Sequence, residues 1–303
     1  IRDFDSSELS YRLSNTIGIS YIYYIISYIF NYDDHIFNSL FVNLFLITLF
    51  YILIYKICTI LNVNKTRLYL ILFINSPLIY YSQGINKELF TLVFYFLSIY
   101  LLLKRKVFLL FIATLAFSLI RMQHCIFSLY LYFLYTSPNR QSLLIRIFII
   151  YIATSILGTY LVQNVVWGHS EEPGLSKYIF YMNQEYYIGT FLLGLIKILQ
   201  IFYDQLKLSI GFYNNGIINL YFLKETIPTF VLMFFIVNIW VRFKMIRFFH
   251  GEKILYLAIV SFMFVLIILP IVHQRYMFPV VTTLIMIGLN KPTNRKISSS
   301  IPS

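Results

Sequence analysis

The chain has few charged residues and almost no cysteine. Only 12% of its 303 residues are charged, and Cys58 and Cys125 are its two cysteines. Both lie in apolar segments with neither paired nor metal-like spacing, so we interpret them as ordinary residues of apolar helices. The sequence also has no internal repeat, glycine-rich nucleotide loop, zinc motif, or Ser-His-Asp or Cys-His pattern. It therefore gives no support to a nucleotide-binding, zinc-binding or hydrolytic site.

Apolar residues are the most abundant class in the sequence. They make up 59% of the chain and recur in runs of membrane-spanning length from Ile36 to Leu289. A transmembrane β-barrel would show short alternating segments, which the sequence lacks. We therefore predict an all-α fold, a polytopic transmembrane helical bundle with about nine spans and interfacial helices in its outer loops. The predicted spans are 36–58, 67–83, 85–103, 107–120, 122–135, 143–162, 226–243, 254–271 and 276–290.

The net charge of +12 comes from basic residues in the short gaps between apolar runs. In that position they indicate membrane topology, and nucleic-acid binding is not expected. One set of alternating loops carries fifteen of the 24 Lys and Arg residues, so the positive-inside rule makes that side cytoplasmic. The fifteen are Lys56, Lys65, Arg67, Lys104, Arg105, Lys106, Arg140, Arg146, Arg242, Lys244, Arg247, Lys253, Lys291, Arg295 and Lys296.

Residues 107–135 admit two interpretations. They form either one long helix with Arg121 near its middle or two short helices that meet near Arg121. One long helix would move the basic clusters downstream of it to the outer side, against the positive-inside rule. We therefore predict two short helices.

The remaining polar segments fall on the outer, non-cytoplasmic side, including the opening "IRDFDSSELSYR" and the adjacent Lys87 and Glu88. Residues 163–225 form an outer excursion, with amphipathic stretches near 189–203 and 205–223 that suit interfacial helices. We expect a single transmembrane domain over 1–290, a cytoplasmic tail over 291–303, and missing residues ahead of Ile1.

Several motifs occur in an order that resembles a known superfamily. The aromatic run "GISYIYYIISYIF" precedes the first crossing helix, and a segment with Pro77, Ser82, Lys87 and Glu88, in the pattern P-x-x-x-x-S-x-x-x-x-KE, leads into the third. Later come a helix ending in "SLIRMQ" and the pattern H-x-RY-x-x-P. Together they resemble the GT-C superfamily of integral-membrane glycosyltransferases, which includes protein mannosyltransferase-like and aminoarabinose transferase-like proteins. The O-antigen repeat-unit polymerases are a neighbouring group.

The resemblance implies transfer of a sugar from a polyprenyl phosphate or diphosphate, at the outer membrane face, with an acidic catalytic residue in the first outer loop. That position corresponds here to Asp3 or Asp5. The loop lacks the adjacent acidic pair of many members, and the pair Asp33–Asp34 follows the aromatic run instead.

Such a reaction needs a base for the acceptor hydroxyl and cations for the departing phosphate. We predict Asp3 or Asp5 as catalytic residues, supported by Glu8 and Glu88; whether Asp3, Asp5 and Glu8 hold a divalent metal is left open. The predicted phosphate-binding residues are Lys87, Arg121, His273, Arg275 and Tyr276, and the predicted acceptor loop contains Trp167, His169 and Glu171.

Each of these residues also has a simpler structural explanation. The acidic residues near the start are also explained as solvated terminal residues, and Lys87 with Glu88 as an ion pair at a helix start. Arg121 is also explained by a side chain that extends to the membrane surface. His124 is expected to be structural.

The sequence thus predicts an integral-membrane enzyme, a glycosyltransferase of surface-polysaccharide assembly such as O-antigen or capsule. The expected location is the inner membrane of a bacterium, with the active site on the periplasmic face. The expected partners are the lipid-linked sugar donor, a glycan or lipid-linked acceptor, and membrane lipid. A repeat-unit polymerase is the first alternative, and a lipid-linked glycan flippase or transporter is the second.

Overall fold

A computed structural model of the chain describes residues 35–74, 87–164, 175–194, 250–268 and 274–289, with single positions among residues 22–29 and 196–199. Its regular elements are helices, which confirms the prediction of an all-α fold. In chain order they are α1 (His35–Leu61), α2 (Lys65–Ile74), α3 (Lys87–Leu103), α4 (Val107–Ser118), α5 (Gln123–Tyr135), α6 (Arg140–Asn164), α7 (Leu175–Tyr186), α8 (His250–Ile268) and α9 (Phe278–Leu289). A short 3-10 helix, Gln274–Met277, precedes α9.

Two of these helices are long and apolar enough to cross a membrane. They are Ser39–Leu61 within α1 and Arg140–Tyr160 within α6, of 23 and 21 residues. At 1.5 Å per residue they extend about 35 and 32 Å, which matches a hydrocarbon core of about 30 Å. Apolar helices of shorter length are Val107–Ser118, Lys253–Ile268 and Phe278–Leu289. The arrangement of nine spans remains a prediction, and the predicted span 226–243 lies outside the described residues.

The two long apolar helices expose large hydrophobic side chains at helical spacing. On α6 the exposed positions recur every three or four residues and so form a stripe along one face. Apolar surface of this extent is unfavourable in water and is typical of contact with lipid or another protein. The exposed large hydrophobic residues of α6 include Leu144, Ile145, Phe148, Ile149, Ile152, Ile156, Leu157 and Tyr160, and those of α1 include Leu40, Phe41, Leu44, Phe45 and Ile52.

Helix α3 lies at the centre of the described bundle and contacts α1, α4, α5, α8 and α9. Its side chains are buried almost all around, as expected for a helix that is apolar on every face. The fully buried Tyr95 anchors this packing. Its ring stacks on Phe127 of α5 and meets the ring edge of Phe262 of α8, both at centroid distances of 5.2 Å. Aromatic contacts therefore join three helices that are distant in the sequence.

The helix is interrupted between α4 and α5, as the distribution of basic residues predicts. Helix α4 ends at Ser118 and α5 begins at Gln123. The backbone N–H of Arg121 donates to the Phe117 carbonyl at 3.1 Å, and that of His124 donates to the Arg121 carbonyl at 3.0 Å. Arg121 thus lies in a tight connection between two short helices, and the prediction of two helices over residues 107–135 is confirmed.

Helices α6 and α7 are joined by a buried polar network, which we call the Asn183 network. The side chain of Asn183 is fully buried; its amide donates to Thr190 Oγ1 at 2.7 Å, and its carbonyl oxygen accepts from the Thr190 N–H at 2.8 Å. The hydroxyl of Thr159 lies 3.3 Å from the same oxygen. A Cβ at Gly189 would lie 2.3 Å from the Ile179 carbonyl oxygen, so only glycine allows this close approach.

Candidate functional site

A cavity lies between α3, α5, α8 and the start of α9. It encloses about 530 Å³, including the part that is open to solvent. Residues from separate parts of the chain meet there because α3 contacts each of the other three helices. The lining residues are Glu88, Thr91, Leu92, Phe94, Tyr95, Arg121, Gln123, His124, Phe127, Phe262, Val265, Leu266, Tyr276, Phe278 and Pro279.

The lining divides into a polar end and an apolar end. Glu88, Thr91, Arg121, Gln123 and Tyr276 are partly exposed, whereas every apolar lining side chain is buried. The partly exposed part of the lining is thus polar, and its buried part is mostly apolar and includes aromatic rings. Such a division suits a ligand with a charged head and an apolar body.

Arg121 is the cation in the cavity lining. Its Nη1 donates to Thr91 Oγ1 at 3.3 Å, and its Cζ lies 5.6 Å from the centre of the Tyr276 ring. A guanidinium carries five N–H donors, and within the described residues this is its one hydrogen bond. The Tyr276 ring contributes a cation–π attraction from a second side. The guanidinium is thus held in place while most of its donors remain for a ligand.

Behind Arg121, Thr91 and His124 connect the cavity to the end of α4. His124 Nε2 lies 3.0 Å from Thr91 Oγ1, and its Nδ1 lies 2.9 Å from the Phe117 carbonyl oxygen. That carbonyl belongs to the last turn of α4 and also accepts the backbone N–H groups of Ile120 and Arg121, at 3.0 and 3.1 Å. The imidazole ring packs on Phe94 at 4.9 Å and is only 2% exposed. His124 is therefore buried, and both of its ring nitrogens have partners.

Lys87 and Glu88 open α3 beside this cluster. Lys87 lies within electrostatic range of both Arg121 and Glu88. Glu88, in the first turn, is favoured there by the positive end of the helix dipole. Among the described residues, two cations and one carboxylate thus lie together here.

Three of the predicted site residues, Glu88, Arg121 and Tyr276, line this cavity, and Lys87 is adjacent. Arg275 lies in the 3-10 helix next to Tyr276, but its side chain is outside the described part of the structure. The other predicted residues are outside the described ranges: Asp3, Asp5, Glu8, Trp167, His169, Glu171 and His273. Their grouping with the cavity remains a prediction.

Thr91, Gln123 and His124 are lining residues that are absent from the predicted site. Helical spacing carries a signal for one of them. Thr91 lies four residues after Lys87 in α3, so the two share a helix face. The sequence interpretation of His124 as structural agrees with its burial, but not with its place in the cavity lining.

Within the described residues, no group of three or more His, Cys, Asp or Glu side chains is arranged to hold a metal ion. The carboxylates proposed from the sequence as metal ligands, Asp3, Asp5 and Glu8, are outside this part of the chain. The described cavity therefore offers cationic and hydrogen-bonding groups for an anion.

Comparison with protein-family models, with curated proteins and with solved structures finds no match to this chain. The resemblance to the GT-C superfamily accordingly rests on the sequence motifs alone.

Chemically, the cavity can bind an anionic group and shield an attached apolar or cyclic moiety from water. Arginine is well suited to phosphate because its planar fork donates to two oxygens at once. Aromatic walls such as Phe94, Tyr95 and Phe127 pack against apolar faces of a ligand. Glu88 adds a partly exposed carboxylate to the lining.

Proposed function

We propose that the protein is an integral-membrane glycosyltransferase that transfers a sugar from a polyprenyl-phosphate-type donor during surface-glycan assembly. In this proposal Arg121, Lys87 and Tyr276 bind the donor phosphate, together with His273 and Arg275. Asp3 or Asp5 activates the acceptor hydroxyl at the periplasmic face of a bacterial inner membrane, and Glu88 supports it.

One observation carries the proposal. Glu88, Arg121 and Tyr276 come from three distant parts of the sequence, and all three line one cavity whose inner wall is apolar. A lipid-linked sugar phosphate has matching chemistry, because its phosphate needs cations and its lipid needs an apolar surface. Preorganised cations in a poorly hydrated site also stabilise the negative charge that develops on the departing phosphate.

The exposed apolar faces of α1 and α6 agree with the membrane location. Exposed Phe and Ile side chains at helical spacing are stable against acyl chains and are not stable in water. The same location gives the protein access to a donor that is itself anchored in lipid.

The proposal is tested in cells that depend on this protein for a surface glycan. Cells lacking it are complemented with the wild-type chain, R121Q or R140Q, at equal amounts in the membrane, and the glycan is separated by size. Arg140 is an exposed arginine at the start of α6 and serves as the matched control. We expect R121Q to leave a shortened glycan, as in cells without the protein, and R140Q to restore the full glycan.

The pattern of bands also separates the alternatives. Glycans of one complete repeat, without longer chains, would identify a repeat-unit polymerase in place of a sugar transferase. Complete lipid-linked units that accumulate on the cytoplasmic side would identify a flippase. A normal glycan with R121Q would refute the proposed role of the cavity.

A further inference from the structure

The contacts behind Arg121 form a directed chain of hydrogen bonds. The Phe117 carbonyl oxygen can only accept, so His124 Nδ1 carries a proton and donates to it over 2.9 Å. In the neutral imidazole, Nε2 is then an acceptor. The chain therefore begins at a carbonyl whose position is fixed by the end of α4.

Thr91 takes its orientation from this acceptor. Its hydroxyl lies 3.0 Å from His124 Nε2 and 3.2 Å from the carbonyl oxygen of Lys87, and it has one proton for these two acceptors. When the proton points to Nε2, the lone pairs of Oγ1 are free to accept from Arg121 Nη1. Each hydrogen bond in the series from Arg121 through Thr91 and His124 to the Phe117 carbonyl then pairs one donor with one acceptor.

A neutral imidazole is the favoured form at this position. His124 is 2% exposed, and Arg121 already places a positive charge nearby. A second buried positive charge next to a cation is unfavourable. Its ring is also confined by Phe94 and Phe117, at centroid distances of 4.9 and 5.9 Å. The acceptor that orients Thr91 is thus fixed in space.

We propose that Thr91 and His124 are positioning residues that hold the Arg121 guanidinium in the orientation that binds the donor phosphate. Thr91 accepts from Nη1 and the Tyr276 ring lies 5.6 Å from Cζ, so two contacts orient the guanidinium in the lining of the cavity. A preoriented guanidinium loses less side-chain entropy when it binds phosphate. The identity of the anion rests on the proposed function, whereas the orientation of Arg121 does not.

The test uses the full-length chain in detergent, with farnesyl phosphate as the probe and farnesol as its uncharged counterpart. We expect T91V, which removes the hydroxyl at nearly constant volume, to weaken farnesyl phosphate binding about fivefold, the effect of one hydrogen bond. T91S keeps the hydroxyl and should bind the phosphate within about twofold of the wild type. Farnesol affinity should be the same in all three, since it depends only on the apolar wall.

Two substitutions of His124 separate its two hydrogen bonds. The glutamine amide of H124Q reaches the position of Nε2 and can accept from Thr91, whereas the asparagine amide of H124N reaches the position of Nδ1 and can donate to Phe117. We expect H124Q to keep more of the preference for phosphate over alcohol than H124N. If His124 had a purely structural role, the loss of phosphate preference in each variant would follow only the decrease in its melting temperature.

Side-chain ¹⁵N NMR of the arginines provides a readout that needs no ligand. In the wild type and T91S we expect restricted rotation of the Arg121 guanidinium, with its signals assigned from their absence in R121K; in T91V we expect faster rotation. Unchanged Arg121 signals in T91V, together with an unchanged phosphate preference, would overturn the inference. If the rotation of the Arg121 guanidinium depends on Thr91 but the wild type binds farnesyl phosphate no more tightly than farnesol, the positioning role stands and the proposed function fails.

Discussion

Within the described residues, polar side chains join α6 and α7 in the Asn183 network, and α3 and α5 in the Thr91–His124–Arg121 chain. Both contain a threonine hydroxyl at the centre of several hydrogen bonds. In the Asn183 network the groups are neutral, and the donors and acceptors of Asn183 and Thr190 satisfy each other. The other network ends on a guanidinium with surplus donors beside a cavity.

The difference shows which property of a buried polar group indicates a ligand. Burial and hydrogen bonding alone are common to both networks and are required of any buried polar side chain. Around Gly189 the backbones approach too closely to leave room for a ligand. A charged group with unused hydrogen-bonding capacity, next to enclosed space, is found at Arg121. We therefore interpret the Asn183 network as structural and propose a binding role for Arg121.

The largest effect is expected at Gly189. G189A would place a Cβ 2.3 Å from the Ile179 carbonyl oxygen, so the backbone of α7 must move. We expect a loss of about 3 kcal/mol in the free energy of unfolding, at the upper end for overpacking, with unchanged activity per folded molecule. Thermal melting of the purified protein measures the loss of stability. Glycan transfer at matched amounts of folded protein measures the activity per folded molecule.

G158A is the comparison variant for G189A. Its new Cβ would meet side-chain atoms of Thr190 at 2.9 Å, which can move more easily than backbone. G158A should therefore be less destabilising than G189A. Equal melting temperatures for the two variants would contradict the close backbone approach at Gly189.

The next largest effect is expected for R121K, which keeps the positive charge and removes the planar fork. Lysine lacks the planar fork with which arginine donates to two phosphate oxygens while another N–H contacts Thr91. We expect about tenfold weaker donor binding, or about 1.4 kcal/mol, at an unchanged melting temperature. R140K at the exposed start of α6 should behave as the wild type. An R121K protein with full affinity would show that charge alone is sufficient.

The two threonines allow a direct comparison of the networks. T159V removes a hydroxyl that lies 2.9 Å from the Ser155 carbonyl and 3.3 Å from Asn183. We expect it to cost about 1 kcal/mol of stability without altering ligand binding, whereas T91V alters phosphate binding. If T159V also weakened binding of farnesyl phosphate, the division into a structural and a binding network would be wrong.

The smallest effect is expected at Tyr276, whose ring lies over the Arg121 guanidinium. Y276L should weaken phosphate binding about threefold, since a cation–π contact at a partly exposed site contributes about 0.5–1 kcal/mol. Y276F keeps the ring and should therefore keep the cation–π contribution to phosphate binding. A loss in Y276F equal to that in Y276L would assign the effect to the hydroxyl group.

The helical framework could be predicted from the sequence because its signals are local. Long apolar runs define α1 and α6, and the charge of Arg121 between two apolar runs predicts the break between α4 and α5. The predicted phosphate-binding residues Lys87, Arg121 and Tyr276 are ionisable or aromatic residues at the ends of apolar runs, where they are conspicuous. Their charge or position marks them without knowledge of the packing.

The rest of the site could not be predicted, because it arises from contacts between distant helices. Thr91 is one hydroxyl within an apolar run, and its importance appears only when α5 brings His124 to within 3.0 Å. The aromatic inner wall combines Tyr95, Phe127 and Phe262, which are buried core residues in the sequence pattern of any apolar helix. Only the packing of α3 against α5 and α8 makes them the wall of a cavity.

The central claim is that the polar end of this cavity binds a phosphate through Arg121. Its most direct test is to measure the affinities of farnesyl phosphate and farnesol for the purified wild-type chain and for R121Q. We predict that the wild type binds the phosphate at least about tenfold more tightly than the alcohol, as expected for hydrogen bonds to a charged group, and that R121Q binds both equally. Equal affinities in the wild type, or an undiminished phosphate preference in R121Q, would contradict the claim.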